Sequence, residues 1–276
     1  MNAVLAIAGT ELRIGFRNRW ILLSSLILLV FALLLVLLGS APTGETTVSP
    51  LTVVAASLST LSVYLVPLIA LLLSFDAIAG EIDRGTLQLT LASPVSRGQV
   101  LIGKFLGHLA VLAVAVVIGY GIAGAAAFVS AGQAGSEGVG DMVRLIVTSI
   151  VLGATFIAIG YVASASVRQT GTAAALAVAI WLLAVVLYDL ALLGGLLASS
   201  DGVFARNVFP YLLVANPADA FRVFNMAALD PGAAATGLAA TGDFIPFLPE
   251  LAILSPLLWA VIALGVSTFI LKRVQP

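Results

Sequence analysis

Six stretches of the chain, at 20–38, 51–78, 106–130, 143–167, 171–197 and 251–271, are continuous apolar runs interrupted by few charges. A hydrocarbon core of about 30 Å needs roughly 20 apolar residues in a helix, because only a helix or a closed barrel satisfies its own backbone in lipid. None of the runs shows the period-2 alternation of barrel strands. The pattern therefore predicts an all-α membrane protein, with six transmembrane helices forming a single polytopic domain over 1–276. Gly39, Ser40 and Ala41 could be mistaken for the end of a signal peptide. The first run is longer than the apolar core of such a signal, and Pro42 follows directly, so it reads as a span.

Basic residues flanking the runs set an expected orientation. With the N-terminus inside, Arg13, Arg17, Arg19, Arg84, Arg97, Lys104, Arg168, Lys272 and Arg273 all fall on the cytoplasmic side. Only Arg144, Arg206 and Arg222 remain outside. The expectation is a multi-pass protein of the bacterial inner membrane with both termini cytoplasmic.

Three polar or broken connections carry further signals. Residues 1–19 mix Leu5, Leu12, Ile14 and Phe16 with Glu11, Arg13, Arg17 and Arg19, the pattern of an interfacial helix, with Trp20 placed as an aromatic-belt residue. In the cytoplasmic connection at 80–103, Gly85 can stop the outgoing helix, Thr86 can cap a new one and Pro94 can end it. Ser96 and Gln99 then have the spacing of a capping box for the next long helix. Leu87 and Leu91 share one side of the short helix, which is either a docking element or a helix in a plain connector. In the long external connection at 198–250, Asn216, Pro217 and Asp219 read as an N-cap, a first-turn proline and an acidic first turn, predicting a helix over 217–229. The whole segment is too broken to span and too apolar to be a free linker, so it should rest on or dip into the outer leaflet.

Composition narrows the chemistry. Charged residues make up 9% of the chain and its formal net charge is −1, so no basic field draws it to nucleic acid. The absence of cysteine removes thiolate metal sites and cysteine nucleophiles. Gly98 to Phe105 matches a phosphate-binding loop except that Phe105 stands where a hydroxyl would hold Mg²⁺, and the run follows a helix cap instead of a strand. Gly119, Gly121 and Gly124 have dinucleotide-fingerprint spacing but lie inside an apolar span, where glycines favour close helix packing; Gly103 and Gly107 read the same way. His108 is the single histidine, and with Met142 and Met226 it forms no metal cluster in sequence; it reads as an interhelical hydrogen-bond partner. Asp76 and Asp189 lie near span ends, where either a functional role or capping would account for them. No hydrolase or intramembrane-protease constellation is present, so the chain is not expected to be an enzyme.

The run from Phe75 through Glu81, Asp83, Arg84, Gly85, Thr86 and Leu87, continued by Ser93, Pro94, Val95, Ser96 and Arg97 and then by Gly103 and Lys104, resembles the ABC-2 (type V exporter-like) transporter permeases. The resemblance covers the whole chain. It implies a second copy of this chain around a central path, with each copy docked on a cytoplasmic ABC ATPase subunit through the short helix. Glu81, Asp83, Arg84, Gly85, Thr86, Leu87, Ser93 and Pro94 would then be the coupling residues. ATP and Mg²⁺ would belong to the ATPase, leaving no cofactor on this chain. The external run at 213–225 is similar, more narrowly, to permeases of the systems that assist assembly of the copper–sulfur centre of nitrous oxide reductase. That likeness implies a periplasmic accessory protein contacted by Asn216, Asp219, Phe221, Arg222 and Asn225. It also implies movement of a sulfur-containing species, with mechanical transmission to the partner or export of another small substrate as alternatives. Bare Cu(I) is not expected, because a path for it needs repeated soft ligands.

Overall fold

The computed structural model describes residues 2–17, 19–39, 49–87, 95–131, 138–199, 202–227 and 246–273. Among these, every regular element is helical. In chain order they are α1 (Asn2–Arg17), α2 (Arg19–Gly39), α3 (Pro50–Ser74), α4 (Ala79–Asp83), α5 (Arg97–Ala131), α6 (Val139–Ser166), α7 (Thr170–Trp181) and α8 (Tyr188–Ala198). Then come α9 (Val203–Asn207), α10 (Phe209–Ala215), α11 (Pro217–Met226) and α12 (Leu254–Arg273), the last preceded by a 3₁₀ turn at Pro249–Ile253.

Among the described residues, five helical stretches are long and apolar enough to cross a membrane: Leu51–Asp83, Arg97–Val129, Val139–Ser166, Thr170–Ala198 and Pro249–Arg273. The first predicted span is helical as α2, within which Leu26–Leu37 is a shorter apolar stretch. The chain is thus a multi-pass membrane protein with five such helices among its described residues, while the count of six stays an expectation.

α3, α5 and α6 form the centre of the bundle, where Leu58, Leu112, Leu152, Phe156 and Tyr161 are fully buried. α1 lies along the first turns of α5. Their contact is close because Gly103 and Gly107 present no side chain. A Cβ at Gly107 would stand 2.5 Å from Glu11 Cβ and 2.9 Å from the Ala8 carbonyl, and one at Gly103 would stand 2.8 Å from Ile7. The G-x-x-x-G spacing serves backbone approach, as in other membrane helix pairs. α7, α8 and α12 keep much of their apolar surface outward, as lipid-facing helices do.

The predicted boundaries change at three places. Within the span expected over 51–78, regular helix stops at Ser74 and gives way to a turn before α4 restarts it at Ala79. The helix of the third span begins at Arg97, upstream of the apolar run at 106–130, where the capping box expected of Ser96 and Gln99 starts it. Ser96 N–H donates to Gln99 Oε1 at 2.9 Å, and Gln99 N–H donates to Ser96 Oγ at 3.2 Å. The fifth span is interrupted by a π-wound stretch, Leu182–Leu187, between α7 and α8. There the Ala184 carbonyl accepts a hydrogen bond from Asn216 Nδ2 at 2.6 Å, so the looser winding is met from outside the helix. Of the segment predicted at 86–93, only Thr86 and Leu87 fall within the described residues; the rest, and residues beyond 227 of the helix expected over 217–229, lie outside them.

Candidate functional site

At the end of the bundle that carries α1, three long helices converge on the five residues of α4. The α4 N-terminus has no cap of its own, since residue 78 is isoleucine. Ser164 on α6 supplies one, its Oγ accepting from the N–H groups of Ile78 at 3.0 Å and Ala79 at 2.9 Å. The opposite end closes locally. Gly85 takes φ +69°, Gly85 N–H donates to the Ile82 carbonyl, and Thr86 N–H donates to the Glu81 carbonyl at 2.9 Å. This is a Schellman motif, and it needs the left-handed conformation that glycine adopts without strain. Asp83 then reaches forward to the start of α7, where its Oδ2 accepts from the Thr170 hydroxyl at 2.9 Å and the Thr170 N–H at 3.2 Å. A carboxylate there also complements the positive end of the α7 dipole.

Glu81 faces the other way, into a buried ion-pair cluster. Lys104 on α5 lies 2.5 Å from Glu11 Oε1 and 2.8 Å from Glu81 Oε1. Glu11 Oε2 stands 3.6 Å from His108 Nε2, and His108 Nδ1 shares a 2.8 Å hydrogen bond with the Tyr161 hydroxyl. His108 is thus the interhelical partner its position suggested. Burial works to raise the Glu11 carboxyl, but the adjacent His108 ring and the charge of Lys104 outweigh it and hold the group at about 2. One ammonium therefore ties α1, α4 and α5 together, and the histidine extends the network to α6. Arg97, at the start of α5, donates to the carbonyls of Leu271 at 2.6 Å and Lys272 at 3.0 Å, closing the free end of α12.

Of the expected coupling residues, Glu81, Asp83 and Gly85 each have a defined structural task, Leu87 is buried, and Thr86 donates from both backbone and hydroxyl to Glu81. Arg84 folds back over Gly80. Ser93 and Pro94 lie outside the described residues.

A family model described as ABC-2 family transporter protein matches residues 5–275. The chain belongs to that family. It is 39% identical over 274 residues to the probable ABC transporter permease protein NosY of Stutzerimonas stutzeri, covering 99% of each chain. The NosY of Pseudomonas aeruginosa is 38% identical over 266 residues, covering 96% of this chain and 94% of the relative. The chain is therefore an ABC transporter permease subunit, and a permease of this kind implies an ATPase partner.

At the opposite end of this ABC-2 permease, the five residues expected to meet a partner are all buried within the chain itself. Asn216 caps α11 by accepting from Ala218 N–H at 3.0 Å. Phe221 is fully enclosed, and Asn225 Oδ1 accepts from the Thr148 hydroxyl at 3.1 Å. Arg222 pairs with both oxygens of Asp189 on α8, at 2.9 and 3.0 Å, and with Asp219 one turn earlier. Burial, and after it the neighbouring Asp189 charge, push the Asp219 carboxyl up to about 7 against the pull of Arg222. Two carboxylates share one guanidinium, and the more enclosed one resists ionisation. Arg144 on α6 donates to the Phe224 carbonyl at 2.6 Å and lies 4.1 Å above the Phe224 ring. Asp189 thus acquires a partner, and α11 is fastened to α6 and α8.

Lys104, Glu11, Ser164 and Thr170 were not singled out as site residues from sequence. Glu11 and Lys104 could have been noticed as opposite charges on apolar helices. Ser164 and Thr170 carry no such signal, because a hydroxyl in a span usually bonds its own helix, as Ser62 and Ser74 do here.

Proposed function

We propose that this ABC-2 permease is the membrane subunit of a system that supports assembly of the copper–sulfur centre of nitrous oxide reductase by moving a sulfur-containing species across the inner membrane. In this reading six spans cross the bilayer, both termini are cytoplasmic, and two copies assemble with two ATPase subunits that bind ATP and Mg²⁺. The ATPase docks on the segment that begins at Thr86 and includes Ser93 and Pro94.

One observation carries the coupling role. The five-residue α4 is held by Ser164 of α6, Lys104 of α5 and Thr170 of α7, so displacing it moves three membrane helices together. The narrower assignment is supported by the two NosY relatives and by the likeness of residues 213–225. A copper cargo is disfavoured because His108 is engaged by Tyr161, and Met142 and Met226 are packed inside the chain. The buried α11 residues favour a second element of the same reading. They hold the outer segment rigidly on α6 and α8, so a periplasmic accessory protein touching its outer surface would receive the motion of both helices.

The test is to reconstitute the permease with its ATPase in vesicles and follow ATP-dependent movement of Cu(I) and of labelled sulfur compounds separately. The reading expects sulfur movement in step with ATP turnover. Copper movement at that rate would overturn it, and ATP turnover with neither would leave mechanical transmission as the function.

A further inference from the structure

Between α1, the last turns of α3, α4 and α5 lies a cavity of about 500 Å³, within the range of small-ligand sites. Its apolar wall includes Ile69, Leu73 and Phe75, and Ile14 and Leu72, both exposed, also line it. Its polar wall is charged. Glu11, Asp76 and Glu81 face it, against Lys104, Arg84 and His108. Both signs of charge are therefore presented to the same cavity.

Two features of that wall lack an internal explanation. Glu81 gives one oxygen to Lys104, while Oε2 is enclosed and has no hydrogen-bond partner among the described residues. A buried carboxylate oxygen left in that state carries an uncompensated desolvation cost, which a donor in the cavity would offset. Asp76 and Arg84 flank the same floor without an ion-pair partner within 4.0 Å among the described residues. A Cβ at Gly80 would stand 3.0 Å from the Arg84 guanidinium nitrogens and 3.2 Å from Asp76 Cβ. The bare glycine lets the Arg84 guanidinium pack down over α4 on the side of Asp76, so a cation and an anion flank the cavity close together.

We propose that this cavity binds the ammonium–phosphate headgroup of a zwitterionic phospholipid, with an acyl chain running over Ile69, Leu72 and Ile14. The ammonium meets Glu81 Oε2 and Asp76, and the phosphate meets Arg84. An anionic lipid would supply the second contact and not the first, leaving Glu81 Oε2 and Asp76 without a cation. A free zwitterion would satisfy both charges but leave the apolar wall uncovered. The mouth bounded by exposed Ile14 and Leu72 therefore favours the lipid. The proposal is independent of what the transporter moves.

The test uses the full-length chain in detergent, with retained lipid counted by native mass spectrometry. The probes are palmitoyl-oleoyl phosphatidylethanolamine, the matching phosphatidylglycerol and free phosphoethanolamine. The expected result is a preference of about tenfold for phosphatidylethanolamine over phosphatidylglycerol, equivalent to about 1.4 kcal/mol. Asp76→Asn, which keeps the shape and removes an ammonium contact, and Gly80→Leu, whose side chain would displace the Arg84 guanidinium, should each abolish the preference, the first by lowering phosphatidylethanolamine retention to that of phosphatidylglycerol. Thermal melting of each variant checks that it is folded, and Asp76→Asn decides alone if Gly80→Leu is not. Equal retention of the two lipids, or a preference that survives Asp76→Asn, would show an annular lipid only and overturn the proposal. Displacement by an equal concentration of free phosphoethanolamine would overturn its lipid part and reassign the site to a small zwitterion.

Discussion

Asp83 caps Thr170: one carboxylate oxygen on α4 accepts both the hydroxyl and the backbone N–H of the residue that opens α7. The two residues are 87 positions apart, and their contact makes the start of α7 depend on the position of α4. Replacing Asp83 by alanine removes that cap, at a cost of about 1 kcal/mol or less at an exposed site. The expected outcome is that ATP hydrolysis by the assembled complex persists while downstream transport falls several-fold. Asp83→Asn, which can still accept, should restore most of it. Equal transport by wild type and Asp83→Ala would remove Asp83 from the coupling path.

Lys104 is the shared cation between Glu11 and Glu81, so Lys104→Met leaves two carboxylates buried together without a counter-charge. Removing one partner of a buried pair costs about 3–5 kcal/mol. α1 should release from α5. Because the sequence contains no cysteine, a single Leu5→Cys or Ile7→Cys reporter gives a clean labelling readout. Ile7→Cys should label slowly in the parent and quickly with Lys104→Met, while the exposed Leu5→Cys should change little. Adding Glu11→Gln and Glu81→Gln to Lys104→Met should recover part of the protection.

The same cluster sets a pH dependence. The folded Glu11 carboxyl is lowered to about 2 from the ordinary 4.5. A depressed acid contributes stability that is present in full above the unfolded value and is lost as pH falls towards the folded one. Docking of α1 should therefore be insensitive to pH near neutrality and weaken between about 4.5 and 2. Melting of the purified permease across that window measures it, and Glu11→Gln should flatten the response.

How much of this was readable from the chain differs by element. The long apolar runs at 143–167 and 251–271 appear as helices within a few residues of their predicted limits, because lipid demands continuous helix over that length. Gly85 and the Ser96–Gln99 pair were legible because left-handed caps and capping boxes are local. The break at Ser74 was not, since Phe75, Ala77 and Ile78 are apolar and the cap that restarts the helix belongs to Ser164, 85 residues from Ala79. The π-wound stretch at Leu182–Leu187 likewise depends on Asn216, a residue of another element. For the site, the sequence identified Glu81 and Asp83 but not what they hold, because Lys104 and Thr170 become partners only through packing.

Gly107 tests the close approach of α1 directly. Its missing Cβ would stand 2.5 Å from Glu11 Cβ and 2.9 Å from a backbone oxygen that cannot rotate away. Gly107→Ala should separate the two helices, with an overpacking cost of about 1–3 kcal/mol. Lower thermal stability together with faster Ile7→Cys labelling is the expected signature. Gly121, which has open space at the same distance, should accept alanine without either change.

Arg222 holds two carboxylates at the opposite end, and the three positions should respond unequally to substitution. Arg222→Met leaves Asp189 and Asp219 facing each other in a largely enclosed site and should cost about 3–5 kcal/mol, releasing α11 from α8. Asp219→Asn should cost much less, because burial and the Asp189 charge already push the Asp219 carboxyl up to about 7. The amide keeps the shape and still leaves Arg222 paired with Asp189. The sign of the pH effect follows from the same shift. Above its ordinary value of 3.8 the unfolded carboxyl is ionised, while the folded one keeps its proton until about 7. The folded state therefore binds more protons over that interval, and its stability falls as pH rises from about 4 to about 7, then levels off. Melting of the purified permease in detergent should show that decline, and Asp219→Asn should remove it. A decline of the same size in Asp219→Asn would assign the effect to another group, and tolerance of Arg222→Met would show that α11 is held by its apolar contacts alone.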